Sequence, residues 1–197
     1  MQHLKDAGVL KTKELVQAFL KIDRKDFVPP DFQESVYGDY PLPIGFDQTI
    51  SQPYTVAFML ELLQPKKGEV ILDVGSGSAW TTALLSHIVG NKGKVYGTEL
   101  MPELVELGKK NLSKYQFPHS EILQGKKGVL GLPDKAPFDK ILVSAAAREV
   151  PQELLSQLKE QGVMVVPVQD AVLRIQKIPG KESDIQRFEG FVFVPLL

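Results

Sequence analysis

Three places in this chain could do chemistry: Asp73 with Gly75-Ser76-Gly77 behind it, Glu99, and Thr49-Ile50-Ser51 upstream. Two glycines in one loop let the backbone approach a ligand closely. An acid just ahead of them can offset a positive charge, directly or through water. A second acid about 20 residues further on can accept both hydroxyls of a ribose. Ser51 stands two residues before Pro53, and proline suits the first turn of a helix, where its missing N–H costs nothing. Unpaired backbone donors and the helix dipole favour an anion at such a start. A carboxylate could dock there with the Ser51 hydroxyl orienting it. From spacing alone, Ser51 reads first as a capping serine, the commoner use of that residue.

The pattern around these residues supplies the elements to position them. Val70–Val74 is a short apolar, β-branched run, the signature of a buried parallel strand. Trp80, Ala83, Leu84 and Ile88 recur at helical spacing, so Trp80–Val89 reads as a helix, and Val95–Thr98 reads as a second strand with Glu99 at its carboxyl end. Strand, glycine turn, helix, strand and acid make half of a nucleotide-type fold. The dinucleotide version wants a third glycine where Trp80 stands, so that the helix can crowd a pyrophosphate. An acid and two glycines suit instead a ligand with an ammonium group and a ribose but no phosphates, and S-adenosylmethionine meets that description better than NAD. The alternative is an ordinary strand–helix turn followed by a solvated Glu99.

Residues 3 to 22 read as one helix with Thr12 as an N-cap and Leu15, Val16, Phe19 and Leu20 as its apolar face. Residues 24 to 54 hold five of the 14 prolines and cannot be regular throughout. Their Phe and Tyr content favours burial over a solvated linker, and long ordered loops are often functional. A helix follows from Pro53, with Val56, Met59, Leu60 and Leu63 on one face. Pro102–Asn111 is a helix whose Leu104, Val105 and Leu112 should face the sheet, Glu121–Leu123 a third strand and Lys140–Ser144 a fourth. Ala145-Ala146-Ala147 then leaves room for a ligand where open α/β sheets bind. Pro151–Lys159 reads as a helix capped by Gly162, Val163–Val168 as the fifth strand, and Ala171–Ile178 and Phe188–Leu197 as two more.

The 197 residues suit one domain with a sizeable core. A net charge near −1 favours no nucleic-acid partner, and the lack of cysteine excludes a disulfide scaffold, a thiol nucleophile and a cysteine zinc site. His3, His87 and His119 show no ligand spacing, so no metal is expected. No apolar run reaches membrane-spanning length and MQHLKDAGVL lacks a signal-peptide core, which makes a cytoplasmic, membrane-free protein the expectation.

YGDYPLPIGFDQTISQPYTVAFMLELL followed by ILDVGSGSAWTTALL resembles the protein-L-isoaspartate O-methyltransferase family. So do ELMPELVELGKKNL, APFDKILVSAAAREVPQELLSQLKEQGVMVVPV and the final FVFVPLL. The resemblance runs from about Leu10 to the C-terminus, and PLPIGFDQTISQP is specific to this family among methyltransferases. It implies a Rossmann-like S-adenosylmethionine-dependent α/β fold, a central mostly parallel sheet with helices on both faces. The expected organisation is a single domain over residues 1–197, with a helix and substrate-covering segment at 1–54 and the cofactor core with C-terminal strands at 55–197. The implied reaction moves a methyl group to the free α-carboxylate of L-isoaspartyl residues in damaged proteins and peptides, leaving S-adenosylhomocysteine. The ester closes to a succinimide that partly reopens as aspartate, so the implied role is protein repair, and a monomer is expected. Another carboxylate acceptor, or a weakened cofactor-binding protein, are the alternatives.

By the same resemblance Ser51 falls on the family's active-site serine, reversing the capping reading. Ile44, Gly45, Phe46 and Asp47 fall beside the cofactor, Asp73, Gly75, Gly77 and Ser78 under its methionine portion, Glu99 on the ribose with Leu100 next to it, and Lys126 at the adenine. Thr49, Ser51, Ala145, Val192 and Val194 are the implied peptide contacts, with the edge around Val192–Val194 and residues 40–47 gripping an extended backbone. Two positions depart from the family. Gly125-Lys126-Lys127-Gly128 stands where Gly-Asp-Gly is usual, and lysine cannot accept the adenine amino hydrogen bond that the aspartate takes. The lysine pair otherwise reads as a solvated loop. Ala79 stands where glycine is usual, which costs little unless φ is positive there.

Overall fold

The computed structural model describes residues 2–196. The first helix is two: α1 (Gln2–Asp6) and α2 (Lys13–Lys21), broken where Gly8 takes φ +66 and Val9 and Leu10 drop into the core. Thr12 is the N-cap residue of α2 as expected, but its hydroxyl caps nothing in its own helix. It donates to Glu61 (2.7 Å), whose carboxylate also takes the Lys11 and Thr12 amides at 2.7 Å. The buried face is Leu15, Ala18 and Phe19, while Leu20 is exposed, so the expected face is rotated. Residues 24–54 are irregular, as their prolines require. Two 3-10 segments (Arg24–Phe27 and Pro30–Ser35) precede a hairpin of β1 (Leu42–Gly45) and β2 (Gln48–Ile50), and α3 (Pro53–Leu63) follows.

The core then alternates β3 (Val70–Val74), α4 (Trp80–Val89), β4 (Lys94–Glu99), α5 (Pro102–Leu112), β5 (Ser120–Gln124), β6 (Phe138–Val143), α6 (Gln152–Ser156), β7 (Leu158–Val168), β8 (Ala171–Gln176) and β9 (Asp184–Glu189). One seven-stranded sheet runs β5-β4-β3-β6-β7-β8-β9, parallel through β7 and antiparallel at β8 and β9. This is a Rossmann-like α/β fold. Strand alternation divides the core in two. Ile71, Leu142, Val163 and Val165 join the cluster under α1 to α5, whereas Leu72, Val74, Ile141, Val143, Met164 and Val166 join the one that holds Leu154 of α6. Helices therefore cover both faces, five against one.

Two expected elements come out differently. The helix from Pro151 stops at Ser156, because Gln157 turns its amide onto the Leu130 carbonyl and the Leu132 amide (2.8 Å each) and Leu158 pairs with Phe138 in the sheet. Gly162 therefore caps no helix; it lies in a bulge of β7, with Gln161 at φ +64 and a Cβ on Gly162 only 2.8 Å from the Lys159 carbonyl. The expected strand over Phe188–Leu197 is also displaced. The seventh strand is β9, and beyond Gly190 the chain folds back, stacking Phe191 on Phe58 (5.0 Å between centroids) and straddling Ala146 with the Val194 carbonyl and Leu196 amide (2.8 and 2.9 Å). Leu197 lies outside the described residues. Among those residues no helix is long and apolar enough to cross a membrane.

Candidate active site

The chain runs from β3 to β4 and β5 on one side and to β6 and β7 on the other, so a crevice opens at the carboxyl ends of β3 and its neighbours. A cavity of about 380 Å³ occupies it. Its floor comes from Val74, Gly75 and Gly77 after β3, Thr98 to Met101 at β4, Gly125 and Lys126 after β5, and Ser144 and Ala145 after β6. The β1–β2 hairpin covers it with Ile44, Gln48 and Thr49, and the C-terminal segment closes another side with Val194 to Leu196.

Glu99 is the best-fixed group. Its Oε2 accepts from the Gly77 amide (3.0 Å) and its Oε1 from the Leu100 and Met101 amides (2.7 and 3.2 Å). Three backbone donors thus hold a carboxylate on the cavity wall, with lone pairs to spare for a diol. Gly77 suits glycine: φ is +49, and a Cβ would crowd Ile44 Cδ1 at 3.1 Å. Gly125 lies so close to Leu100 that a Cβ would come within 3.2 Å of it.

Asp73 sits one layer down, fully buried. Oδ2 accepts from Thr81 (2.7 Å) and Thr82 (2.6 Å), while Oδ1 has no partner. Burial pushes the carboxyl up to about 6; the two threonine hydroxyls pull against that, and the negative Glu99 adds to it. An ionised carboxylate with an orphaned oxygen beneath a cavity suits a cation above it.

Ser51 lies just outside the cavity lining, half-buried, and its hydroxyl makes no hydrogen bond to a described residue. It does not cap α3: Gln52 is the N-cap residue, and the Tyr54 amide is taken by Asp39 (2.8 Å). That carboxylate thus takes one of the backbone donors expected to attract an anion there. Gly45, Phe46 and Asp47 form the hairpin turn rather than the wall, with Phe46 and Asp47 at φ 54 and 55 as a tight two-residue connection demands. Ser78 is buried behind the glycine loop, its carbonyl accepting from Asn111 (3.1 Å). Val194 lines the cavity, whereas Val192 is 94% exposed and belongs to no edge strand. Ala79 does take positive φ (+73), so its methyl carries a strain that glycine would not. Lys126 is exposed, as a solvated loop residue would be, but it also stands among the residues lining the cavity, and its carbonyl accepts from the Val129 amide (3.0 Å).

Sequence pattern gave no sign of Glu153, Val129 to Gly131, Pro195 and Leu196 on the wall. Glu153 and the Val129–Gly131 loop are brought there by the Gln157–Leu130 contact, which no local pattern signals. Among the described residues no group of three or more His, Cys, Asp or Glu could hold a metal ion.

The family model for protein-L-isoaspartate(D-aspartate) O-methyltransferase matches residues 1–197. The protein-L-isoaspartate O-methyltransferase of Methanopyrus kandleri is 39% identical over 201 residues, covering 100% of this chain and 89% of its own. A solved structure of that enzyme type superposes with a TM-score of 0.88 at 27% identity, over 100% of this chain and 64% of that one, so this chain spans just under two thirds of it. A Plasmodium falciparum structure described as a putative protein-L-isoaspartate O-methyltransferase in complex with S-adenosyl-L-homocysteine gives a TM-score of 0.86 at 25% identity, over 100% of this chain and 95% of that one. The chain belongs to the protein-L-isoaspartate(D-aspartate) O-methyltransferase family.

Proposed function

We propose that this chain is an S-adenosylmethionine-dependent methyltransferase that esterifies the free α-carboxylate of L-isoaspartyl residues in damaged proteins and peptides. The observation that carries this reading is one cavity shared by two parts. Gly75, Gly77 and Glu99 form its floor, and the hairpin that bears Thr49 and leads to Ser51 forms its roof. The floor fits the cofactor on three counts: the orphaned, buried Asp73 Oδ1 suits a cationic ligand, the bare Gly77 backbone allows close approach, and Glu99 offers lone pairs to a ribose. Gly75, Gly77, Glu99 and Leu100 would hold S-adenosylmethionine with Ile44 above, and Asp73 would balance its ammonium group from below. When bound, it supplies an electrophilic methyl group on a sulfonium.

The chain's residues then have an alignment task. A substrate carboxylate is ionised at neutral pH and needs no general base. The free Ser51 hydroxyl donates to one carboxylate oxygen and turns the other towards the methyl donor. It must hold the substrate lightly, because the negative charge is consumed in the transition state. Ile44, Thr49 and Val194 exclude water from the line of approach. Exposed Tyr40, Phe46 and Val192 stand on the two flanking segments and would meet the peptide's side chains. The whole chain acts as one methyltransferase domain, residues 1–54 covering the substrate, in a cytoplasmic monomer that binds neither nucleic acid nor membrane.

Initial rates of methyl transfer to an isoaspartyl peptide and to its aspartyl twin test this. Transfer confined to the isoaspartyl peptide is expected; equal transfer to both, or none, refutes it. One observation favours a second reading, a weakened cofactor site: Lys126, whose side chain has no acceptor to offer, stands on the cavity wall. Calorimetry with S-adenosylhomocysteine separates the two. Tight binding by the wild type supports the first reading, and weak binding restored by Lys126→Asp supports the second.

A further inference from the structure

Ser51 has a free hydroxyl but a firmly held backbone, and what holds it is Arg24. The Arg24 side chain is 4% exposed. Its Nη1 donates to the carbonyls of Val36 (2.7 Å) and Gly38 (3.2 Å), and its Nη2 to those of Tyr40 (3.0 Å) and Ser51 (3.1 Å). Its guanidinium carbon lies 5.5 Å from the centre of the Trp80 ring, the first residue of α4. Burial lowers its pKa to about 10, with Asp39 and Tyr40 opposing the fall, so it keeps its charge at neutral pH. The loop it grips also carries Asp39, which takes the Tyr54 amide at the start of α3. Arg24 itself is anchored from behind: Asp23 caps its 3-10 turn, and Phe27 in that turn is fully buried against Tyr115. One planar cation therefore ties residues 36–40, Ser51 two residues before α3 and the start of α4 together. Such a fork can serve four carbonyls at once, which a lysine ammonium cannot.

We propose that Arg24 is a positioning residue for methyl transfer: it fixes the Ser51 backbone, and with it the hydroxyl that orients the substrate carboxylate, relative to the cofactor floor. This rests on the functional reading above. Arg24 touches neither the cavity nor Glu99, Gly75 or Gly77. Its one contact towards the cofactor side is with the Trp80 ring, over which a lysine ammonium can also sit, so the Arg24→Lys loss should fall on the methyl acceptor. A displacement of about 1 Å in a reacting group can cost about 100-fold in rate.

The test compares Arg24→Lys, Arg24→Met, Ser51→Ala and the double variant Arg24→Lys/Ser51→Ala, assayed below their melting temperatures on an isoaspartyl peptide. The expected result is a fall of about 100-fold in kcat/KM for the peptide in Arg24→Lys, with the Kd for S-adenosylhomocysteine within twofold of wild type. Ser51→Ala should then cost almost nothing more in the Arg24→Lys background, because the two act through one hydroxyl. Arg24→Met extends the series if it folds; if it does not, Arg24→Lys alone decides between the two outcomes. Peptide kinetics within twofold of wild type, a parallel loss of cofactor affinity, or losses that simply multiply would overturn the proposal and leave Arg24 a structural residue. A wild type inactive on the peptide would overturn the functional reading itself, and the proposal with it.

Discussion

Asp73 carries a stability cost beside the binding role proposed for it, and Asp73→Asn separates the two. Its carboxyl is fully buried and raised from the ordinary 3.8 to about 6, chiefly by desolvation. A raised acid favours the fold most when protonated. Its contribution is complete below the unfolded value near 4 and is lost as pH rises through about 6. The rise corresponds to up to about 3 kcal/mol at neutral pH. Asparagine does not titrate, and its carbonyl can keep the hydroxyls of Thr81 and Thr82. Its amide then occupies the place of the unpartnered Oδ1, a fixed cost of about 1 kcal/mol that does not vary with pH. The stability of the variant relative to wild type should therefore grow between pH 4 and pH 7, by up to about 3 kcal/mol. For a domain of this size, 1 kcal/mol moves Tm by about 2–4 °C. Thermal unfolding followed by circular dichroism across that range is the assay. A Tm difference that widens by roughly 6–12 °C in favour of the variant is expected. A difference that stays constant or reverses would refute the assignment of Asp73 as a buried acid strained by its own ionisation.

In the proposed reading the same group also balances the charge of the ligand. Wild-type Kd for S-adenosylhomocysteine should rise as pH falls below about 6, approaching tenfold per pH unit as Asp73 takes up its proton, and Asp73→Asn should bind weakly with that dependence flattened; calorimetry at four or five pH values checks both. Glu99→Gln must turn an N–H₂ towards Gly77 or towards Leu100 and Met101, so the same titration should show binding weakened by roughly 10- to 100-fold, one charge-assisted hydrogen bond being worth about 1.5–3 kcal/mol. Away from the cavity, Glu61→Ala removes the carboxylate that holds the Lys11 and Thr12 amides and should cost about 1–2 kcal/mol, a Tm lower by about 2–8 °C, with ligand affinity unchanged.

The parts of the fold legible in the sequence are those fixed by local periodicity. Val70–Val74, Trp80–Val89 and the position of Glu99 at the end of β4 follow from apolar spacing and from where the sheet must bury its strands. What escapes depends on partners far along the chain. Ser51 loses its expected cap because Asp39, fifteen residues before Tyr54, takes that amide first. The helix after Pro151 is cut short because Gln157 satisfies a loop more than 20 residues upstream. Gly162 looks like a helix stop but serves a strand bulge, a use that sequence alone does not distinguish. Ala79 looks harmless by its small size, yet it stands at φ +73 in a loop lying so close to α5 that a Cβ on Gly108 would come within 3.1 Å of the Gly77 carbonyl. Arg24 carries no signal at all, since its four acceptors are backbone carbonyls that any residue would present.

The most direct measurement is to incubate an isoaspartyl peptide with the enzyme and S-adenosylmethionine and follow its isomers by chromatography and mass. The expected result is a transient methyl ester on the isoaspartyl form, then accumulation of the normal aspartyl peptide, with no methylation when the aspartyl peptide is supplied instead. An isoaspartyl peptide that stays unmethylated while S-adenosylhomocysteine binds normally would contradict the assignment of the acceptor.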